Sequence, residues 1–209
     1  MLLLENLKST FSKLISKFSN DEKLKLDYWQ EIEKSYSQKS RKYHNLAHLE
    51  NMILELENVK DEISDFDTLL FSVFYHDIVY KATSKDNEEK SAEIAKKRLE
   101  RINISNERIN KIYNQILDTK SHKRSDDSDT NVLLDADLAI LGKDWNVYEN
   151  YVRQIREEYS IYPDFLYNPG RKKVLTHFLE FEEIFKTDYF KEKYEKMARE
   201  NIKREISIL

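Results

Sequence analysis

The chain has 209 residues, with 35 Lys or Arg against 39 Asp or Glu and a formal net charge of −4. The two signs are mixed along the whole length, which argues against the basic stripe that grips duplex nucleic acid. Cys is absent, so disulfides play no part and any bound metal must take nitrogen and oxygen ligands. No apolar run approaches the ~20 residues needed to cross a bilayer, so no membrane partner is expected.

Met1-Leu2-Leu3-Leu4-Glu5 lacks the basic start and long apolar stretch of a signal peptide, and a cytoplasmic protein is expected. With only two Gly and two Pro, strong helix breakers are few, and apolar residues recur at helical rather than strand spacing. The expected helices lie near 3–18, 21–37, 45–60, 67–77, 87–102, 105–120, 130–142, 145–160, 171–186 and 188–207. Ile109, Ile112, Tyr113, Ile116 and Leu117 show the i, i+3, i+4, i+7, i+8 pattern of one buried face. Ser105, Thr130 and Thr187 are candidate N-caps, and Gly142 is a candidate C-terminal stop. Ser121–Asp129 is polar enough to be a loop, and Pro163, Pro169 and Gly170 mark the longest loop of the second half. The expectation is one all-α domain over 1–209, a helical bundle with its motifs in about 41–142 and the helices of 145–207 packed on that core. The aromatic content suggests a homodimer.

Three of the five His fall in two short strings, Tyr43-His44-Asn45-Leu46-Ala47-His48 and Tyr75-His76-Asp77-Ile78-Val79-Tyr80. His44 and His48 share a helix face if one helix holds both; if the helix begins near Asn45, His44 approaches from the entry loop. His76-Asp77 ends the apolar run Leu69–Tyr75, and a carboxylate buried there is costly unless it is paired or binds a metal. Leu133-Leu134-Asp135-Ala136-Asp137-Leu138 poses the same problem twice, and residues two apart point to different faces, so one Asp faces a metal and the other supports the structure.

The order His, His-Asp, Asp, spread over helices, resembles the HD superfamily of metal-dependent phosphohydrolases. The YHNxxH string is also similar to that of cyclic nucleotide phosphodiesterases, one branch of the superfamily. The closest likeness is to a bacterial group of stand-alone HD proteins, through RKYHNLAH, FYHDIVY, DNEEKSA, LLDADLAILG and the YVRQIREEY region, over roughly residues 30–205. The resemblance implies His48, His76, Asp77 and Asp137 as metal ligands. Asp137 is preferred to Asp135 because HD domains commonly carry Ala-Asp-x-Leu, from which Ala136-Asp137-Leu138-Ala139 departs only at its last residue. It places His44 where phosphodiesterases have a proton donor to the leaving oxygen. The further downstream His of that branch is missing, which counts against a second metal and against cyclic nucleotides.

Around this set, Glu88 is a candidate to orient water, and Asn87 either contacts substrate or caps the next helix. Arg41, Lys81, Arg153, Arg156 and Arg171 are candidate phosphate clamps, since guanidinium matches phosphate oxygens bidentately, although such a residue is more often a surface ion-pair partner. His122 either binds phosphate or a second metal or is a solvated loop residue; His177 reads as a core or interface His. A His and carboxylate site suits Mn, Fe, Co, Ni or Mg. The expected activity is hydrolysis of a phosphate ester of a nucleotide or other small metabolite. The rival is a non-catalytic sensor that keeps the pocket. A ferritin-like bundle is disfavoured because no Glu lies three residues before a His.

Overall fold

The computed structural model describes residues 2–209 and contains only helices among them. In chain order these are α1 (Leu2–Ser16), α2 (Glu22–Tyr36), α3 (Leu46–Glu57), α4 (Phe66–Tyr75), α5 (Asn87–Leu99), α6 (Asn106–Asp118), α7 (Ser128–Leu138), α8 (Trp145–Glu158), α9 (Asp164–Glu180) and α10 (Asp188–Ile208). Among the described residues no helix is long and apolar enough to cross a membrane.

Short polar side chains start these helices by satisfying orphan N–H groups. Asp21, Asn45, Asp65 and Ser105 accept from the N–H of Leu24, Ala47, Thr68 and Arg108. Thr130 does not cap α7. Asp127 does, accepting from both the N–H and the hydroxyl of Thr130, so the polar loop ends two residues early and Ser128 and Asp129 join the helix. Thr187 stands at the N-cap of α10, but its hydroxyl donates to Asp135 rather than capping its own helix.

α4 is the central rod. Thr68 through Tyr75 are all buried, and α1, α3, α5, α6 and α7 pack around it. One continuous apolar cluster runs from Leu7 to Ile202, with Phe11, Trp29, Phe71, Phe74, Phe185 and Phe190 among its largest members. Gly142 ends a 3₁₀ turn, Ala139–Gly142, without left-handed backbone. A Cβ there would lie 2.8 Å from the Tyr194 Cα and closer still to the Tyr194 Cβ, so α10 packs where only a glycine fits.

The largest departure from expectation is α9. Pro169 and Gly170 lie inside it, not in a loop. Pro163 precedes the first turn, where its fixed φ suits helix entry. Pro169 sits on the exposed side, so the carbonyl that loses its donor faces solvent. Past Glu180 the Phe181 N–H turns back to the Phe178 carbonyl, Arg199 takes the carbonyls of Leu179, Phe181 and Glu182, and carboxylates hold the N–H groups further on. Glu195 accepts from Ile184 and Phe185, and Asp135 accepts from Lys186 and Thr187. His177 is exposed on α9, 3.6 Å from Glu180, and is not a core residue.

Candidate metal and substrate site

Three elements bring the motif strings together. His48 lies in the first turn of α3, behind the Asn45 cap, so His44 is on the entry loop. α4 ends at Tyr75; His76 keeps helical dihedrals at its C-cap, and Asp77 lies on the turn that follows. Asp137 is on the last turn of α7.

His48 Nε2 lies 3.2 Å from His76 Nε2 and 3.2 Å from Asp137 Oδ1. One donor atom from each of His48, His76 and Asp137 falls within 4.8 Å of the others, so the group could hold a metal ion. His76 Nδ1 donates to the Val73 carbonyl at 2.8 Å, so Nε2 is the nitrogen turned toward the group. Asp77 Oδ2 stands beside it, 3.3 Å from His76 Nε2, outside the three-atom group. Asp135 belongs elsewhere. It is fully buried and accepts from the Lys186 and Thr187 N–H groups and the Thr187 hydroxyl, holding the start of α10.

The electrostatics are those of tightly apposed opposite charges. Burial opposes the charged form of His76, but Asp77 and Asp137 outweigh it and hold its pKa at about 9. Burial likewise opposes ionisation of Asp77, yet His76 and His44 bring it down to about 2. Asp137 is held below the usual carboxylate range against burial, by the hydrogen bond to His48 and the charge of His76. Burial depresses His48. His122 enters from the loop with φ 49°, its Nε2 3.6 Å from Asp137 Oδ2, and burial lowers it to about 4.

Beside this group His44 Nδ1 lies 2.6 Å from Glu158 Oε2, and its ring stacks on Tyr80 at 4.1 Å. Burial works against the imidazolium, but the Glu158 bond and the Asp77 charge raise it above the ordinary value. Glu158 is the residue that sequence reasoning missed. Its Oε1 accepts the N–H groups of Lys42, Tyr43 and His44 at 2.7, 2.8 and 3.0 Å, and its Oε2 accepts from Tyr80. A signal existed: Tyr148, Tyr151, Ile155 and Glu158 share the buried face of α8, and an acid in that register needs a partner.

The remaining candidates are placed as follows. Arg41 is buried, and its guanidinium donates to the carbonyls of His44, Asp77 and Ile78, so it ties the two motif strings together. The Asn87 side chain bonds the N–H and carbonyl of Lys81, and the helix cap position belongs to Asp86. Glu88 is half-buried, 3.9 Å from Lys120, with its carboxyl pushed up by burial. Arg156 grips Asp164 and the carbonyls of Tyr159 and Tyr162. Arg153 pairs with Glu149 on the surface. Arg171 lines a cavity of about 500 Å³ together with His44, His122 and Asp137, its fork held on Glu205 at 2.7 and 3.1 Å. The structure thus joins His44, His48, His76, Asp77, His122 and Asp137, and turns Arg41, Asn87 and Arg156 to structural contacts.

No family model matches the chain, and neither a curated protein nor a solved structure does.

Proposed function

We propose that this chain is a metal-dependent phosphohydrolase acting on a small phosphate ester, with the ordered residues of the HD superfamily. The observation that carries the reading is a three-donor group and a His–carboxylate pair that each send one residue, Asp137 and His44, to the wall of the same cavity. His48, His76 and Asp137, with Asp77 alongside, would hold a divalent ion, Mn, Fe, Co, Ni or Mg. Such an ion, when bound, lowers the pKa of water and polarises a phosphoryl oxygen.

The chain's own residues supply the rest. Glu158 fixes the His44 ring through Nδ1, which leaves Nε2 to carry a proton toward a leaving oxygen. Tyr80 stacked on His44 limits that ring to one plane. Arg41 orients the backbone on which His44 and Asp77 sit.

The test is phosphate release by protein reconstituted with Mn, Fe, Co, Ni or Mg, run on a panel of phosphate esters. Release that disappears in His48→Ala together with bound metal supports the reading. Metal binding with no release from any ester would refute hydrolysis and leave the sensor alternative.

A further inference from the structure

The cavity that opens at His44, His122 and Asp137 is unlike a site for highly charged ligands. Its volume of about 500 Å³ is in the range of sites for small organic molecules. Its walls carry six tyrosines, Tyr43, Tyr80, Tyr151, Tyr159, Tyr162 and Tyr167. Ile140, Leu141, Ile155, Val174 and Phe178 complete the apolar part. Rings of this kind bind flat ligands by stacking, with geometry set by the quadrupole and little loss of side-chain freedom.

Cations are scarce. Arg171 is the one Lys or Arg among the lining residues, and its fork is committed to Glu205 and the Tyr151 hydroxyl. Outside the lining, Lys186 donates to the Ile184 carbonyl and stands 3.8 Å from Asp135, and Arg41 turns both Nη groups to backbone carbonyls, its buried Nε–H having no partner among the described residues. Polyphosphates are recognised by several cations or oriented N–H groups clamped on their oxygens. The walls here provide no such set. A second observation concerns Tyr167. It is 7% exposed and lines the cavity, and its hydroxyl has no hydrogen-bond partner among the described residues. It is a polar atom left for a substituent on a bound ring.

We propose that the cavity binds the uncharged aromatic part of a phosphomonoester, so that the substrate carries a single phosphoryl group on an alcohol bearing a planar ring system. This rests on the hydrolase reading above. The reaction balances as ester plus water giving alcohol plus inorganic phosphate. Water oxygen bonds to phosphorus and the bond from phosphorus to the alcohol oxygen breaks. One water proton ends on the alcohol oxygen, the position that His44 serves, and the other stays on phosphate.

Two arms separate the cavity from the chemistry. In the first, the metal-free full chain is titrated with 2-(1-naphthyl)ethanol by calorimetry. Binding is expected, and Tyr162→Ala should weaken it about ten-fold, as loss of one stacking ring does. Circular dichroism confirms that the variant is folded. In the second arm, metal-loaded protein is given 2-(1-naphthyl)ethyl phosphate, glycerol 3-phosphate or ATP. The two monoesters have alkyl leaving groups of similar reactivity, so their ratio reads the ring. The expected kcat/KM for the naphthyl ester is at least about ten-fold above the other two, and Tyr162→Ala should erase that margin. Absence of alcohol binding, or ATP and glycerol 3-phosphate matching the naphthyl ester, overturns the proposal. Alcohol binding without hydrolysis of any ester refutes the hydrolase reading and supports the assignment of the cavity to an aromatic group.

Discussion

Asp135 and Asp137 stand two residues apart in one helix, and exchanging each for Asn should give opposite results. Asp135 accepts three donors, the N–H groups of Lys186 and Thr187 and the Thr187 hydroxyl, at 2.8–2.9 Å. Asn keeps one accepting oxygen and turns an NH₂ toward the other donors, so one or two hydrogen bonds to a charged group are lost, each worth about 1.5–3 kcal/mol. Burial pushes the Asp135 carboxyl up, which offsets part of that loss. The net cost is about 2–3 kcal/mol, or roughly 4–12 °C in Tm for a chain of this size. Metal binding should survive. Asp137→Asn should instead lose the rise in Tm that metal gives. That rise is worth about 2.7 kcal/mol when free metal is a hundred times its Kd. The assay is thermal unfolding of each protein with a chelator and with excess Mn, and the quantity compared is the metal-induced shift. The reasoning fails if Asp135→Asn abolishes the shift while Asp137→Asn keeps it.

Glu158→Gln should lower turnover about 10–100-fold with metal content unchanged, since it unsettles the His44 ring and the entry loop that carries it and touches none of the three metal-donor residues. Glu158 raises the His44 pKa, so its removal should also move the basic limb of the kcat–pH profile to lower pH; an unmoved limb counts against the pairing. Lys186 is buried, and its pKa drops from 10.5 to about 8 chiefly through desolvation. Its folded pKa lies below the unfolded one, so the unfolded chain binds more protons between these values and stability rises with pH across that window, by on the order of 3 kcal/mol. Denaturant unfolding from pH 8 to 10.5 should show this gain in wild type and not in Lys186→Met. The two glycines should also part. Gly142→Ala meets the Tyr194 backbone and should cost about 3 kcal/mol, whereas Gly170→Ala meets nothing within 4 Å and should gain about 1 kcal/mol of helix propensity, both read by denaturant titration.

Helix content and order were open to sequence reasoning wherever a strong apolar period met a polar cap, as at Ser105 before α6. Reasoning failed where long-range partners decided the outcome. Beyond the end of α9 the chain is held by Arg199, Glu195 and Asp135, all distant in sequence, which take the carbonyls of Leu179, Phe181 and Glu182 and the N–H groups of Ile184, Phe185, Lys186 and Thr187. The roles of Asp135 and Asp137 could not be separated by spacing, since two residues on one buried helix differ only in what stands opposite each. The clustering of His48, His76, Asp77 and Asp137 was legible because His-Asp at the end of an apolar run has few uses other than pairing or metal binding. For Glu158 only its buried register on α8 was legible; its partners were not, because the three N–H groups it gathers are 114 to 116 residues away in the chain.

The hydrogen bonds of Arg41 go to main-chain oxygen, at residues 44, 77 and 78. Every amino acid presents that same oxygen, so the clamp is blind to the side chains it positions. Chemistry at the mouth of the cavity can therefore drift by substitution at 44 or 77 without unmaking the turn that displays it. Scaffold and reagent become separately variable, and replacements at those two positions report on reactivity with the geometry left in place.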